Sequence, residues 1–281
     1  MIWTTARRQL TFHRPLVMGI LNVTPDSFSD GGEFESSDAA VARAEEMATA
    51  GADIIDIGGE STRPGSSQVS AEVEIGRVIP IIRQIAERID LPISIDTSKS
   101  AVAAAAIEAG AEIINDISGL RWEPQIADVA ARTGAALVLM HSRGSFETMH
   151  SQPPVENILD DVIHGLRSSL DNARQRGVAA EHICLDVGIG FGKTLEQNLE
   201  LIAQVDKIVT EFADYPLLVG TSRKSFIGKL LGGIPADQRI GGSIATALIA
   251  AERGAKVLRV HDVRETVAAI KIWQEVEAYA Q

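Results

Sequence analysis

The sequence has little of what exported or membrane-embedded proteins need. Among its 281 residues there is one cysteine, Cys184 in the apolar run HICLDVG, so an internal disulfide is excluded and a reducing compartment is favoured. No run approaches the roughly 18 consecutive apolar residues that would indicate a membrane-spanning helix. The N-terminal stretch MIWTTARRQLTFHRPL has no apolar h-region, and we therefore expect no secretory signal there.

Basic residues are outnumbered by acidic ones. The chain has 26 Lys and Arg against 38 Asp and Glu, which gives a formal net charge of −12. This balance argues against nucleic acid or an anionic membrane surface as a partner. Together with the single cysteine, it predicts a cytoplasmic protein that acts on small molecules.

Several common catalytic motifs are also missing. There is no H-x-x-H pair or cysteine cluster for zinc, no G-x-S-x-G nucleophile elbow and no P-loop. No strand-end lysine lies in an apolar setting typical of a Schiff base. We therefore expect chemistry that depends on positioning and electrostatics, without a protein nucleophile.

What the sequence does contain is one unit repeated eight times. Short β-rich runs are each followed by an amphipathic helical segment, such as EVEIGRVIPIIRQIAERID, with apolar residues at helical spacing. Gly-Ala pairs at 51–52, 110–111, 134–135 and 254–255 mark places where a helix ends before a strand. The eight β-rich runs are 16–22, 52–59, 92–96, 112–116, 135–141, 182–186, 216–221 and 256–261.

Apolar strands that alternate with helices predict a parallel sheet covered on both faces. Eight units in about 250 residues, with 45% hydrophobic composition to fill a large core, predict a (β/α)₈ barrel. The alternative is an open doubly wound sheet, but no G-x-G-x-x-G follows the first strand, and GIGFG at 188–192 follows the sixth. We expect a single domain over residues 1–281, with residues 1–14 forming a small hairpin at the barrel bottom.

The carboxyl ends of the strands, where this fold carries its chemistry, are polar. The set from the first, second and eighth strand ends consists of Asn22, Thr62, Arg63, Arg259 and His261. These ends are neighbours in a closed barrel, and guanidinium groups match phosphate oxygens, so this set predicts an anion site. The set from the third, fourth, sixth and seventh ends consists of Asp96, Asn115, Asp186 and Lys224. It suits a flat heterocycle that presents N–H donors and a carbonyl.

Other polar residues have simpler structural interpretations. Asp96, in DTSKS, has the alternative of capping the following helix. Asp116 points away from Asn115 by strand alternation and is predicted to be structural. Glu60 is expected to pair with Arg63. Lys99 and Lys193 are interpreted as surface or loop lysines, and His141 as a loop histidine whose hydrogen bonds are satisfied. The histidines interpreted as unremarkable are His13, His150, His164 and His182.

Seven motifs occur in order along nearly the whole chain. They are GILNVTPDSFSDGG, DIGGESTRPG, SIDTSK, INDISG, GIGFGKT, SRKSFIG and RVHDV. Together they resemble the motifs of the dihydropteroate synthases, a family of pterin-binding barrels. The resemblance implies a transferase that joins 6-hydroxymethyl-7,8-dihydropterin diphosphate to p-aminobenzoate, releasing pyrophosphate and forming 7,8-dihydropteroate. It also implies Mg²⁺, a homodimer, and inhibition by sulfonamides, which mimic p-aminobenzoate.

The resemblance assigns roles to individual residues. The pterin ring would be held by Asp96, Asn115, Asp186 and Lys224, with Met140 packing against it. The diphosphate would be held by Asn22, Arg63, Arg259 and His261, with Asn22 also helping to place Mg²⁺. The p-aminobenzoate site would be shaped by Phe28, Thr62, Pro64, Phe191 and Ser225.

The first strand runs directly into a long polar loop, PDSFSDGG. In the family the first two loops order over bound substrate, which implies that Asp30 and Arg63 are recruited at that stage. We expect the first loop to act as a lid that excludes water from the reaction. Phe28 would be its apolar cap, and Gly31 and Gly32 its hinge.

Two other functions remain as alternatives. A pterin-dependent methyltransferase of the same barrel group would share the pterin-binding residues, but it does not need Arg63, Arg259 and Lys224 together. A non-catalytic pterin-binding paralogue would be expected to lose the first loop or the Arg259-x-His261 pair. Both features are present in this sequence.

Overall fold

The computed structural model of the protein describes residues 1–24, 33–63 and 65–279. Eight parallel strands form a closed barrel, and two short strands, β1 (Ile2–Thr4) and β2 (Gln9–Thr11), precede them. The barrel strands are β3 Leu16–Asn22, β4 Ile54–Gly58, β5 Ile93–Asp96, β6 Ile113–Asp116, β7 Ala136–Met140, β8 Ile183–Asp186, β9 Leu217–Val219 and β10 Val257–Val260. They are hydrogen-bonded in the order β10-β3-β4-β5-β6-β7-β8-β9. Each predicted run contains one of these strands, and the predicted (β/α)₈ barrel is confirmed.

Helices cover the outside of the barrel. Their bounds are α1 Glu33–Thr49, α2 Ala71–Arg88, α3 Ser100–Ala109, α4 Gln125–Thr133, α5 Ile158–Gln175, α6 Leu195–Ala203, α7 Val205–Glu211, α8 Ser225–Leu230, α9 Ile240–Glu252 and α10 Val263–Glu277. Within the described residues, no helix combines the length and the apolar character needed to cross a membrane.

The predicted Gly-Ala helix ends are confirmed. Gly51 and Gly110 have φ values of +96° and +123°, in the region that glycine adopts without steric cost. The alanine after each glycine donates its N–H to a carbonyl five residues earlier, from Ala52 to Met47 at 3.0 Å and from Ala111 at 2.9 Å. This is the Schellman pattern, which satisfies helix-end carbonyls and turns the chain back towards the next strand.

Two apolar layers hold the barrel together. The inner layer fills the lower part of the barrel with alternate strand residues, including Met18, Ile54, Val138 and Cys184. The outer layer packs the opposite faces of the strands against the helices. Because successive strand residues point to opposite faces, both faces of this parallel sheet are apolar below the mouth.

The N-terminal residues close the barrel bottom as predicted. Strands β1 (Ile2–Thr4) and β2 (Gln9–Thr11) form an antiparallel hairpin. Trp3 is fully buried in the inner layer, and its Nε1 donates to the carbonyl of His182 at 3.1 Å. Beside it, the buried Glu112 carboxylate accepts a hydrogen bond from Thr5 Oγ1 at 2.5 Å. Glu112 therefore anchors the hairpin through a polar contact.

Replacing Glu112 tests this anchor. Glu112 also accepts from the Arg8 guanidinium, with 2.9 Å between Nη2 and Oε1. Glu112→Ala should lower the free energy of unfolding by about 1–3 kcal/mol, because several buried or half-buried donors lose their acceptor. Urea denaturation measures the change. Asp90, a highly exposed partner of Arg8, provides the control, and Asp90→Ala should unfold at the wild-type urea concentration. Equal midpoints for both variants would contradict the anchor.

Candidate active site

Strand alternation turns most of the predicted residues into the barrel. Leu16 and Met18 belong to the inner layer, whereas Val17 between them belongs to the outer one. On the other strands, the same alternation points side chains near the carboxyl end into the barrel mouth. These inward residues are Asn22, Asp96, Asn115, Met140, Asp186 and Arg259.

The Arg259 guanidinium connects the two predicted sets. Its Nε lies 2.6 Å from Asp56 Oδ2, and its Nη2 lies 2.6 Å from Asp96 Oδ2. Burial disfavours the guanidinium charge, but the two carboxylates outweigh this and hold the pKa of Arg259 above its ordinary value. Asp96 therefore faces a cation and does not cap α3, whose N-cap residue is Lys99. One ion-pair network joins the set predicted to bind an anion to the set predicted to bind a heterocycle.

Asp56 belongs to the same network but is absent from the predicted sets. The signal was present, because an acidic residue in the middle of the apolar run ADIIDIGG needs a reason to be buried. Asn115 Nδ2 donates to Asp56 Oδ2 at 3.3 Å. Asp56 Oδ1, Asn115 Oδ1 and Ser94 Oγ are buried without a hydrogen-bond partner among the residues that the structure describes. Such atoms are rare in proteins, and together they indicate a polar ligand.

Burial raises the pKa of two carboxyl groups in the mouth. Removal from water raises the pKa of Asp96 to about 7, against the opposing charge of Arg259. The pKa of Asp186 is also raised by burial, although its Oδ1 accepts the Gly188 N–H at 2.8 Å. A ligand that donates N–H groups to these carboxylates would favour their ionised form.

A strained turn places Lys224 at the mouth. The preceding residue, Arg223, has a φ of +58°, in the left-handed region that side chains with a β-carbon rarely adopt. Its Nε donates to Asp262 Oδ2 at 3.0 Å, and its backbone N–H donates to Ser243 Oγ at 2.9 Å. These contacts stabilise the turn, after which Lys224 is the N-cap residue of α8.

The Lys224 ammonium group packs against an aromatic ring. Its Nζ lies 4.1 Å from the centre of the Phe191 ring, a cation–π contact. Gly190 has a φ of +84°, which favours glycine, and a β-carbon there would lie 2.9 Å from Lys224 Cδ. Burial, followed by the charge of Arg259, lowers the pKa of Lys224 to about 8. The side chain is therefore mainly protonated at neutral pH.

His261 is a neutral donor at the same rim. Burial, followed by the charges of Arg259 and Arg223, lowers its pKa to about 3. Its backbone N–H donates to Ser222 Oγ at 3.1 Å, and the same oxygen lies 3.1 Å from Nδ1. When the serine hydroxyl donates to Nδ1, the ring hydrogen lies on Nε2. In that tautomer, His261 offers an N–H to an anion without carrying a charge of its own.

The remaining predicted residues lie near the mouth with fewer contacts. Asn22 and Asp96 lie on either side of Gly58. A β-carbon built on this glycine would be 3.8 Å from Asn22 Oδ1 and 3.6 Å from Asp96 Cβ. Arg63 is exposed on the second loop, and Ser225 is exposed at the start of α8. Phe28, Asp30 and Pro64, with the predicted hinge at 31–32, lie outside the described residues.

The predictions for Lys99 and for the partner of Glu60 are wrong. Lys99 is not a surface or loop lysine, because it is buried and its Nζ lies 2.8 Å from Glu60 Oε1 and 2.6 Å from Glu74 Oε2. Glu60 accordingly pairs with Lys99 instead of Arg63, and its Oε1 also accepts the Val69 N–H at 2.7 Å. This network ties both ends of the second loop to α2 and α3.

The fifth and sixth loops are joined by Lys193. Its Nζ donates to the carbonyls of Gly188 at 2.7 Å, Phe191 at 3.1 Å and His141 at 3.3 Å, as fits a loop lysine. Burial lowers its pKa to about 7. His141 is buried 3.4 Å from the Asp161 carboxylate, but its Nδ1 has no partner in the described part of the chain. The prediction that this histidine is satisfied is therefore wrong for one nitrogen.

Comparison with known proteins identifies the family. The model of the pterin-binding enzyme family matches residues 18–261. The dihydropteroate synthase of Escherichia coli K12 is 48% identical over 265 residues, which cover 94% of this chain and 92% of that enzyme. The chain belongs to the dihydropteroate synthase family.

Solved dihydropteroate synthases share the fold. The Xanthomonas albilineans synthase with 4-aminobenzoic acid has a TM-score of 0.91 and 44% identity, and the match covers 97% of each chain. The Burkholderia cenocepacia synthase complexed with 7,8-dihydropteroate has a TM-score of 0.89 and 43% identity, over 99% of this chain and 97% of that one.

The Lys99 network predicts a pH-dependent stability in this synthase. Lys99→Met leaves Glu60 and Glu74 buried without a counter-ion, and should lower the free energy of unfolding by about 3–5 kcal/mol at neutral pH. Burial raises the pKa of Glu74, and a protonated carboxyl needs no counter-ion, so the deficit should shrink as the pH is lowered. Urea denaturation at several pH values measures both effects.

A second substitution provides the control for this network. The double variant Lys99→Met/Glu74→Gln removes one of the stranded carboxylates and should recover part of the lost stability. If the single and double variants unfold at the same urea concentration across the pH range, the three side chains do not form the network that the distances indicate.

Proposed function

We propose that the chain joins 6-hydroxymethyl-7,8-dihydropterin diphosphate to p-aminobenzoate, with release of pyrophosphate and formation of 7,8-dihydropteroate. Membership of the dihydropteroate synthase family supports this reaction. The observation that carries it to this chain is the group of buried acceptor atoms without partners, on Asp56 and Asn115. A pterin has an amino group and ring N–H groups, which are the donors that these atoms lack.

The pterin ring is proposed to lie among the inward side chains of the mouth. Asp96, Asn115 and Asp186 accept its N–H groups, and Asp56 extends the predicted set by one carboxylate. Lys224 donates to the ring carbonyl, and the buried Met140 packs against the flat face. The raised pKa values of Asp96 and Asp186 suit this role, because a bound donor would favour ionisation.

The diphosphate is proposed to bind at the rim formed by the first, second and eighth strand ends. Asn22, Arg63, Arg259 and His261 line this rim, and the second loop would bring the exposed Arg63 to the anion. His261 donates Nε2–H as a neutral group, so it adds a hydrogen bond without repelling the two arginines.

Mg²⁺ fits the chemistry of this rim. The described residues contain no group of three or more His, Cys, Asp or Glu side chains that could form a metal site of their own. Mg²⁺ is commonly bound by one or two protein oxygens together with substrate phosphates, and Asn22 offers a carboxamide oxygen at the rim. When bound, the ion would supply positive charge that stabilises the leaving pyrophosphate.

The proposed route is dissociative. Arg259 and His261 stabilise the negative charge that develops on pyrophosphate, and the pterin ring delocalises the cation left on its methylene group. The neutral arylamine of p-aminobenzoate then attacks the methylene carbon without a catalytic base. The ammonium formed loses its proton to pyrophosphate or solvent, which leaves the secondary amine of dihydropteroate. Phe191, Thr62 and Ser225, with Phe28 and Pro64, would shape the amine site, where sulfonamides would compete. The first loop with Asp30 would exclude water.

The alternative functions gain less support. A methyltransferase or a non-catalytic paralogue would not require the rim that Arg259, Lys224 and His261 form beside the buried aspartates. The relatives described above carry the synthase name.

We also propose a homodimer in the cytoplasm. Large apolar side chains are exposed at the end of α8 and on α9 and α10, namely Leu230, Leu231, Ile249, Ile272 and Val276. Where such side chains are contiguous, they are typical of a protein interface. The buried single thiol and the acidic charge balance fit a reducing cytoplasm.

Pyrophosphate release tests the reaction. With Mg²⁺ and the dihydropterin diphosphate, the wild type should release pyrophosphate and form dihydropteroate together, and only when p-aminobenzoate is added. Lys224→Ala and Arg259→Ala should each lower kcat/KM by at least about 100-fold, because each removes a charged donor from a buried site. The exposed Lys207 provides the control, and Lys207→Ala should keep wild-type activity. A wild type that binds pterin but forms no product contradicts the proposal.

The pH profile tests the two shifted groups. Asp96, with a pKa of about 7, must lose its proton to accept the pterin N–H, so kcat/KM for the dihydropterin diphosphate should rise through about pH 7. Lys224, with a pKa of about 8, is a cation below that pH, so kcat/KM should fall above it. Asp96→Asn should flatten the acidic limb and keep the alkaline one. An unchanged acidic limb would assign it to another group, such as Asp186 or the substrate, and contradict the role of Asp96.

A further inference from the structure

One side chain outside the predicted set spans the barrel mouth. His150 lies on the fifth loop, and its Nε2 is 2.7 Å from the backbone carbonyl oxygen of Thr62 on the second loop. Its ring also stacks on Phe191 of the sixth loop, with 6.0 Å between ring centres and 28° between planes. Two strands, β5 and β6, separate the strands that lead into the second and fifth loops. The His150 contact therefore crosses the mouth.

The fifth loop is a fixed base for this contact. Arg121 Nη1 and Trp122 Nε1 both donate to the Gly144 carbonyl, at 2.9 Å and 3.2 Å. Phe146 packs edge-on against Trp122, with 6.1 Å between ring centres. Met149, next to His150, is almost fully buried. His150 thus reaches out from a segment whose own position is set by hydrogen bonds and apolar packing.

The second loop is held differently. The ion pair between Glu60 and Lys99 fixes the beginning of this loop. The tip of the loop is held by an internal hydrogen bond, in which Ser66 Oγ donates to the Ser61 carbonyl at 2.6 Å. Arg63 and Gly65, which lie between Ser61 and Ser66 at this tip, are exposed. A carbonyl accepts hydrogen bonds only, so the Thr62 contact requires a hydrogen on His150 Nε2. His150 therefore donates from the fixed loop to the exposed tip of the second loop.

We propose that His150 is a positioning residue for the arylamine substrate. The proposal rests on the proposed function, in which Thr62 and Phe191 lie beside p-aminobenzoate. By bonding to one and stacking on the other, His150 sets the distance between the two loops that bound this aromatic ring. It also extends the aromatic wall that begins with Phe191. The pterin lies deeper, among the strand residues, and does not depend on this spacing.

Steady-state kinetics on the full chain test the proposal. His150→Ala should raise KM for p-aminobenzoate by about 5- to 10-fold, because one hydrogen bond and one ring contact are lost. KM for the dihydropterin diphosphate and kcat should change less, within about twofold of wild type, because neither Thr62 nor Phe191 is proposed to contact the pterin ring, and of the diphosphate residues only Arg63 lies on the second loop. Equal rises in both KM values would indicate a general structural role and overturn the proposal. So would an unchanged KM for p-aminobenzoate.

Two conservative variants separate the contributions of His150. His150→Gln keeps an N–H donor and His150→Phe keeps the ring, so each should recover part of the affinity for p-aminobenzoate. His164, an exposed histidine on α5, provides the control, and His164→Ala should match wild type. If neither conservative variant binds p-aminobenzoate better than His150→Ala, the two contacts do not act as proposed.

Hydrogen exchange gives a readout that does not need activity. In the absence of substrates, His150→Ala should speed amide exchange in residues 61–66 relative to wild type and His164→Ala, because the loop tip loses its hydrogen bond. Unchanged exchange there overturns the tether. Failure of the proposed function looks different, since wild type and His164→Ala would then both release no pyrophosphate when p-aminobenzoate is added.

Discussion

The hydrogen bonds between β10 and β3 are the constraint on which the rest of the molecule depends. They close the sheet, in a register that pairs Arg259 with Met18. Closure brings Arg259 to Asp56 and Asp96, although 203 and 163 residues separate them along the chain. In an open sheet β10 and β3 would be separated, and the guanidinium could not reach carboxylates on β4 and β5. The proposed pterin and diphosphate sites are neighbours because the barrel is closed.

Closure also removes charged groups from water, and the structure offsets this cost in a consistent way. Arg259 lies between two carboxylates, Lys99 lies between two others, and Lys193 donates to three carbonyls. In each case one basic side chain serves several acceptors that come from different loops, strands or helices. The loops at the mouth are therefore coupled through shared buried side chains. Removing one is costly because it leaves carboxylates without a counter-charge or carbonyls without a donor.

Much of the architecture could be predicted from the sequence, because it depends on local patterns. The strand runs, the glycine helix ends and the inward direction of Asn115 against Asp116 all follow from periodicity within one element. Pairing across the barrel could not be predicted in this way. Glu60 pairs with Lys99, although Arg63 is nearer in the sequence. Asp56 lies in an apolar run that otherwise indicates only a buried strand. These choices depend on distances between elements, which periodicity does not contain.

The buried cysteine has a practical consequence. Cys184 lies in the inner layer of the barrel with no exposed surface, and burial raises the pKa of its thiol. Because the thiolate is the reactive form, the folded chain should behave towards maleimides and similar reagents as if it had no cysteine. Two cysteines introduced on the surface would then carry a pair of fluorophores without background labelling. The proposed loop movements over the mouth thus become accessible to single-molecule distance measurements in an otherwise unchanged sequence.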